Sequence, residues 1–180
     1  MAWTTPQTVV ADSTELTAAL WNEQVRDNTN FLYTPPMCAL GLTASQSIPH
    51  NAFTALSFTA ADEIDTDDMH STSVNPSRIT INTAGVYMVS GLLNWGASAN
   101  GTDRVASVFK NGSEVGGFRP GALSLPSYSV STSIILGASH PMNLAVGDYI
   151  ELRGYQTSGG GALNAISGSK FSAVWIGSAP

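Results

Sequence analysis

The densest cluster of ionisable side chains in this 180-residue chain is the run Asp62, Glu63, Asp65, Asp67 and Asp68. Hard cations such as calcium take several carboxylate oxygens, and carboxylates at alternate positions of a loop can supply them. Asp62, Asp65 and Asp67 are therefore the candidate calcium ligands. The run lacks the glycine and the distal glutamate of an EF-hand loop. A solvated acidic loop, or one facing an arginine such as Arg78, is the competing reading. The three histidines, His50, His70 and His140, lie far apart, and two of them adjoin prolines. A convergent imidazole site would need copies of one histidine meeting at a symmetry axis, with His70 the candidate.

Nucleophilic chemistry finds little support. Ser167-Gly168-Ser169-Lys170 fits S-x-x-K, but the companion S-D-N and K-T-G elements are missing and the tetrapeptide opens a predicted strand. There is no H-E-x-x-H, no P-loop and no G-x-S-x-G. Gly159 to Gly161 do not lie between a strand and a helix, so they read as a loop. A glycan-cleaving enzyme needs two carboxylates about 5–9.5 Å apart, and only the acidic run could provide them. The sequence thus gives no catalytic residue and no cofactor site. The single cysteine, Cys38, excludes an intramolecular disulfide and reads as a small packed hydrophobe. Asn100-Gly101-Thr102 and Asn111-Gly112-Ser113 match the glycosylation pattern but read as turns.

The positioning elements follow from composition and period. Hydrophobic residues make up 43% and charged residues only 11%, with 17 glycines, against roughly 25% charged in ordinary soluble proteins. The polar remainder is largely Ser, Thr, Asn and Gln, which suit β-surfaces and turns better than solvent-facing helices. A net charge of −6 and seven Lys plus Arg give no basic face for nucleic acid. No apolar run reaches the roughly 18–20 residues that span a bilayer, and the N-terminus lacks the pattern of a signal peptide. The expectation is a protein made in the cytoplasm and, where it leaves the cell, released by lysis.

Two regions are expected, an N-terminal arm and helix over residues 1–36 and an all-β head over 37–180. Met1 to Val10 read as extended, with Trp3 offered to a docking surface. One helix follows, with Asp12 as N-cap, Glu15 closing a capping box, and an end near Leu32 before Pro35-Pro36. Its stripe is Ala18, Trp21, Val25, Asn28 and Leu32, spaced for a seam in which Asn28 sets the register. The stripe could equally lie on the chain's own head or on a carrier surface. The strand runs are Ala52 to Phe58, Arg78 to Ile81, Gly85 to Trp95, Arg104 to Lys110, Tyr128 to Leu136, Tyr149 to Gln156 and Phe171 to Ile176. Ile150 and Leu152 face one side, Glu151 and Arg153 the other. Tyr128, Val130, Ile134 and Leu136 share a face. Asn111-Gly112 marks a tight hairpin. Many short strands with no helical period between them predict a β-sandwich of jelly-roll type.

The ordered set FTALSFTAADEIDTDDMH, SRITINTAGVYMVSGLLNW, RVASVFKNG, LAVGDYIELRGYQTSGG and FSAVWIG resembles the complement-head/tumour-necrosis-factor jelly roll as it occurs in phage structural proteins. The resemblance covers about residues 52 to 177. The segment LWNEQVRDNTNFL resembles an N-terminal arm that precedes variable heads in phage minor virion proteins. Together these imply a homotrimer packed side-on around a threefold axis. Tyr87, Trp95, Tyr128, Tyr149, Tyr155 and Trp175 also exceed what one sandwich core easily buries, and aromatics are favoured at interface centres. The expected function is a non-enzymatic virion protein, a capsid decoration or head-fibre protein docked through its arm on phage capsid or tail proteins. A tail-tip protein contacting host cell-surface glycan, through loops such as Ala97 to Thr102 and Ser158 to Asn164, is the first alternative. A soluble lectin-like trimer is the second.

Overall fold

In a computed structural model, residues 17–98, 103–116, 121–124, 134–159 and 161–179 are described. The chain forms two units, Met1–Pro35 and Pro36–Pro180.

In the first unit the described helix starts at Ala18. Thr17 is extended (φ −75°, ψ 155°) and its hydroxyl accepts from the Leu20 amide, so Thr17 caps the described helix. Asp12 and Glu15 lie outside the described residues, as does Trp3. The helix runs as α1 (Ala18–Trp21), a π-helical segment (Asn22–Asp27) and α2 (Asn28–Tyr33). Thr34 leaves helical geometry at φ −136°, and the residue before a proline is biased that way.

The second unit is a sandwich of two antiparallel sheets. Its strands are β1 (Met37–Gly41), β2 (Gln46–Ile48), β3 (Thr54–Ala55), β4 (Ile64–Asp65), β5 (Ile79–Thr80), β6 (Gly85–Trp95) and β7 (Asp103–Lys110). They continue as β8 (Ser113–Glu114), β9 (Gly121–Ser124), β10 (Ile134–Leu144), β11 (Tyr149–Gln156), β12 (Leu163–Ala165) and β13 (Lys170–Gly177). One sheet runs β2-β12-β6-β13-β1-β4, with β10 on the other side of β6. The other runs β3-β11-β7-β8, with β5 also on β11 and β9 also on β7.

β6 sets the period. Its residues alternate strictly between buried and half-buried, so Tyr87, Val89, Leu93 and Trp95 enter the core. They meet Ile150 and Leu152 of β11, Val108 of β7, and Phe171 and Ala173 of β13, all buried. The Asn111-Gly112 turn has φ of 50° and 81°, as a two-residue hairpin demands. The Asn111 amide donates to Asp148 at 2.7 Å, and its oxygen accepts from the Tyr149 amide at 2.9 Å. That turn therefore also pins β7 to the start of β11.

The run Ala52 to Phe58 contracts to β3, and Arg78 to Ile81 contracts to β5. Tyr128 and Val130 lie outside the described residues. The fifth expected strand begins, as β10, at Ile134 and continues through Pro141 to Leu144.

Candidate functional site: an uncharged sheet face

Register places side chains from five strands on the outward face of the seven-stranded sheet. One row reads Ile64, Ala39, Ser172, Ser90 and Ser139 from β4 to β10. A second reads Met37, Val174, Met88 and Pro141, and a third Gly41, Lys170, Leu92 and Gly137. Lys170 is the one charged side chain in these rows, and it is tied to Glu63 at the corner. At the centre the Ser90 and Ser139 hydroxyls hydrogen-bond at 2.7 Å, and a shallow depression runs past Gly91, Gly137 and Ala138. An antiparallel sheet facing water normally presents polar and charged residues there. Small uncharged residues instead leave a surface that another backbone can approach closely.

The outward face of the six-stranded sheet is built differently. The Glu151 carboxylate is almost wholly buried and accepts from Arg153 at 2.5 and 3.1 Å, Ser77 at 2.9 Å and Arg78 at 3.4 Å. The guanidinium of Arg78 covers the Tyr149 ring at 3.9 Å, and that of Arg153 covers Phe109 at 4.2 Å. Phe53 packs against Phe109 and Tyr155, with ring centroids 5.2 and 5.0 Å apart. Burial pushes the Glu151 carboxyl up, but hydrogen bonds from Arg153, Ser77 and Arg78, with the Arg153 charge, outweigh it and hold the group below its usual range. A carboxyl depressed on folding stabilises the fold above its unfolded value of about 4.5, and that contribution is lost as pH falls through the lower folded value. Glu151→Gln is expected to flatten the acid limb of the stability curve and to cost ~1–3 kcal/mol at neutral pH, as read by denaturant titration at several pH values.

Tyr87, Trp95 and Trp175, three of the six aromatics assigned to core or interface, are buried in the single chain, at 0%, 0% and 8% exposure. The sandwich therefore accommodates more large rings than their number suggests. The Tyr87 hydroxyl donates to the Thr83 carbonyl at 2.6 Å, and the Trp175 indole donates to the Ala84 carbonyl at 3.3 Å. Tyr149 and Tyr155 lie on the outward side of β11, and Tyr128 is outside the described residues.

On the helix, Trp21, Val25 and Leu32 are 51%, 41% and 61% exposed. Asn28 is buried instead, with its amide donating to the Gln24 carbonyl at 3.2 Å. A π-helical segment, Asn22–Asp27, whose turn is wider than that of an α-helix, lies between Trp21 and Asn28.

The acidic run is organised by its own hydrogen bonds. Asp65 accepts from the amides of Asp67, Met69 and His70, at 3.3, 3.0 and 2.9 Å. Asp62 pairs with His70, and Glu63 with Lys170. Arg78 faces Glu151, not the acidic run, because β5 delivers it to β11. No group of three His, Cys, Asp or Glu among the described residues is placed to hold a metal ion. His50 and His140 are exposed on separate segments. Ser167-Gly168-Ser169-Lys170 forms a turn with Gly168 at φ 90°, and Ser169 is buried, accepting from the Asn94 amide at 3.0 Å. Burial, with the charges of Asp65 and Asp62, pushes the Cys38 thiol up and keeps it protonated.

No protein-family model and no curated protein sequence matches the chain. Solved structures do. The globular domain of zebrafish complement 1qA superposes with a TM-score of 0.55 at 14% identity, covering 80% of this chain and 98% of that one. Murine APRIL at pH 5.0 gives 0.54 at 15% identity, covering 78% and 99%. Eiger TNF from S. frugiperda gives 0.53 at 14% identity, covering 81% and 96%. The fold is the complement-head/tumour-necrosis-factor jelly roll. At these identities the likeness carries the architecture alone, so function has to be argued from this chain's own surfaces.

Proposed function

We propose that this chain is a non-enzymatic structural protein of a bacteriophage particle, a capsid decoration or head-fibre protein whose jelly-roll heads form a homotrimer. The observation that carries the reading is the asymmetry of the sandwich. One outward face holds a network of paired charges and tilted ring contacts, while the rows of the other, across five strands, carry Lys170 as their one charged side chain. The occupant of the bare face is a second copy of the chain, repeated around a threefold axis. β10, one edge of the same sheet, supplies the side-on approach that the resemblance to phage jelly rolls implies.

The N-terminal unit supplies the attachment. Trp21, Val25 and Leu32 expose large apolar surface on the helix of the first unit. In this reading they dock on a capsid or tail protein of the particle, in a protein made in the bacterial cytoplasm and released by lysis. Trp21→Ala is expected to cut the fraction of chain that co-sediments with particles at least about tenfold, the loss of a central aromatic anchor, while the melting temperature of the head stays unchanged. Normal incorporation of the variant would remove the arm from the attachment. Deleting residues 1–32 separates the remaining alternatives: a soluble lectin-like trimer keeps its glycan binding without the arm, and a virion protein loses its place on the particle.

A further inference from the structure

Two fully buried side chains of the head, Trp95 on β6 and Gln156 on β11, each leave one polar atom without a hydrogen-bond partner among the described residues. The atom on Trp95 is the indole Nε1, a donor, and the atom on Gln156 is Oε1, an acceptor. The two residues belong to different sheets, and both stand where their strands finish, at one end of the sandwich. Burying such an atom dry forfeits its hydration, and buried polar atoms are ordinarily satisfied by protein or by ordered water.

Both groups are held in place. The Gln156 Nε2 donates to the Ile48 and Gly161 carbonyls, both at 3.0 Å. Those two acceptors also settle which end of the amide is oxygen, because a flipped amide would set Oε1 against both of them. The indole is wedged on β11: a Cβ at Gly154 would stand 3.3 Å from its Cη2 and 3.4 Å from its Cζ2. Cζ2 lies on the Nε1 side of the ring. Gly154 and Gln156 are two residues apart on one strand and point the same way, so the indole edge and the amide occupy neighbouring positions inside β11. Arg104 is opposite Gln156 in the ladder and 1% exposed. Its guanidinium carbon is 6.0 Å from the centre of a Trp95 ring, and it donates to the Asp103 carbonyl at 3.1 Å. This end of the core is therefore polar, and interior spaces of that kind hold water where apolar ones stay dry.

We propose that Trp95 and Gln156 form a binding site for one internal water molecule. A group that accepts from an indole N–H and donates to an amide oxygen at the same time is a hydroxyl, and water is the hydroxyl that fits inside a closed sandwich. By a bond to each side chain it ties the seven-stranded sheet to the six-stranded sheet. The site lies within one chain, so it does not depend on the trimer.

The test is rotating-frame proton spectroscopy of the ¹⁵N-labelled full chain, with the Trp95 indole signal assigned by its loss in Trp95→Phe. The expected result is a cross-peak between the Trp95 Nε1 proton and water, opposite in sign to the diagonal. Direct contact gives that sign, whereas proton exchange with bulk water gives the sign of the diagonal. Gln156→Leu should lose the cross-peak, while an unmoved Trp175 indole signal reports that the fold persists. A Trp95 indole proton with no water contact in the parent chain would overturn the site, as would a contact that survives in folded Gln156→Leu. The parent-chain measurement decides the matter by itself where Gln156→Leu does not fold.

Discussion

Ser90→Glu is expected to leave the jelly roll folded and to convert the proposed trimer to monomer. Ser90 stands at the centre of the uncharged face, with Ser139 and Ser172 as its cross-strand neighbours and no cation in its row. In a single chain the new carboxylate points to solvent, and the change costs one hydroxyl hydrogen bond and at most ~1 kcal/mol of strand preference. In a trimer three carboxylates are buried without partners, a cost of several kcal/mol each. The dissociation constant should rise at least about a thousandfold, equivalent to ~4 kcal/mol. Sedimentation velocity at micromolar concentration reads this directly, with circular dichroism confirming the fold. A trimer that survives the substitution would place the interface elsewhere.

Gly85→Ala acts on the fold itself. Gly85 opens β6 in a buried position where a Cβ would stand 2.6 Å from Trp175 Cδ1 and 2.7 Å from the Gly177 carbonyl oxygen. The indole cannot retreat without giving up its bond to the Ala84 carbonyl, and the Gly177 oxygen belongs to the backbone of β13. Overpacking of this kind costs ~3 kcal/mol, or roughly 6–12 °C in melting temperature for a chain of this size. Gly147→Ala is a useful contrast. Its φ of 86° is strained for alanine, but nothing lies within 4 Å of the new Cβ. A melting temperature for Gly85→Ala equal to that of the parent would show that β6 and β13 have room that the packing denies.

The long strands were legible because their burial alternates strictly. β6 and β11 keep the bounds that period-2 reading gives them, and Ile150 and Leu152 do turn inward. β10 was only partly legible, because His140-Pro141 reads as a break. A proline is tolerated there since β10 pairs on one side only among the described strands, at the sheet edge. β1 escaped notice because Met-Cys-Ala-Leu-Gly carries little β-branched or aromatic signal, and its strand character comes from pairing with β13 and β4. The bare sheet face could not be seen at all before β1 and β10 were placed, since its rows mix residues from five separate strands.

The acidic run shows a second limit. Its composition pointed to a cation or to Arg78, but the partners that decide the matter are set by tertiary distance. Glu63 finds Lys170, 107 residues away, and Arg78 finds Glu151, 73 away. Asp62 finds His70 only because Asp65 folds the intervening loop back on itself. In the helix, the seam spacing was real in sequence, yet the π-helical turn from Asn22 to Asp27 carries no compositional mark that would have announced it.

The virion assignment is tested most directly by cryo-electron microscopy of purified particles from a lysate that contains this chain. The account predicts threefold heads in which the seven-stranded sheets face the shared axis, each head anchored to the capsid through the helix bearing Trp21 and Leu32. Density at the tail end would move the same trimer to a receptor-binding role. Particles that lack the chain altogether would contradict the account and leave a soluble lectin-like trimer in its place.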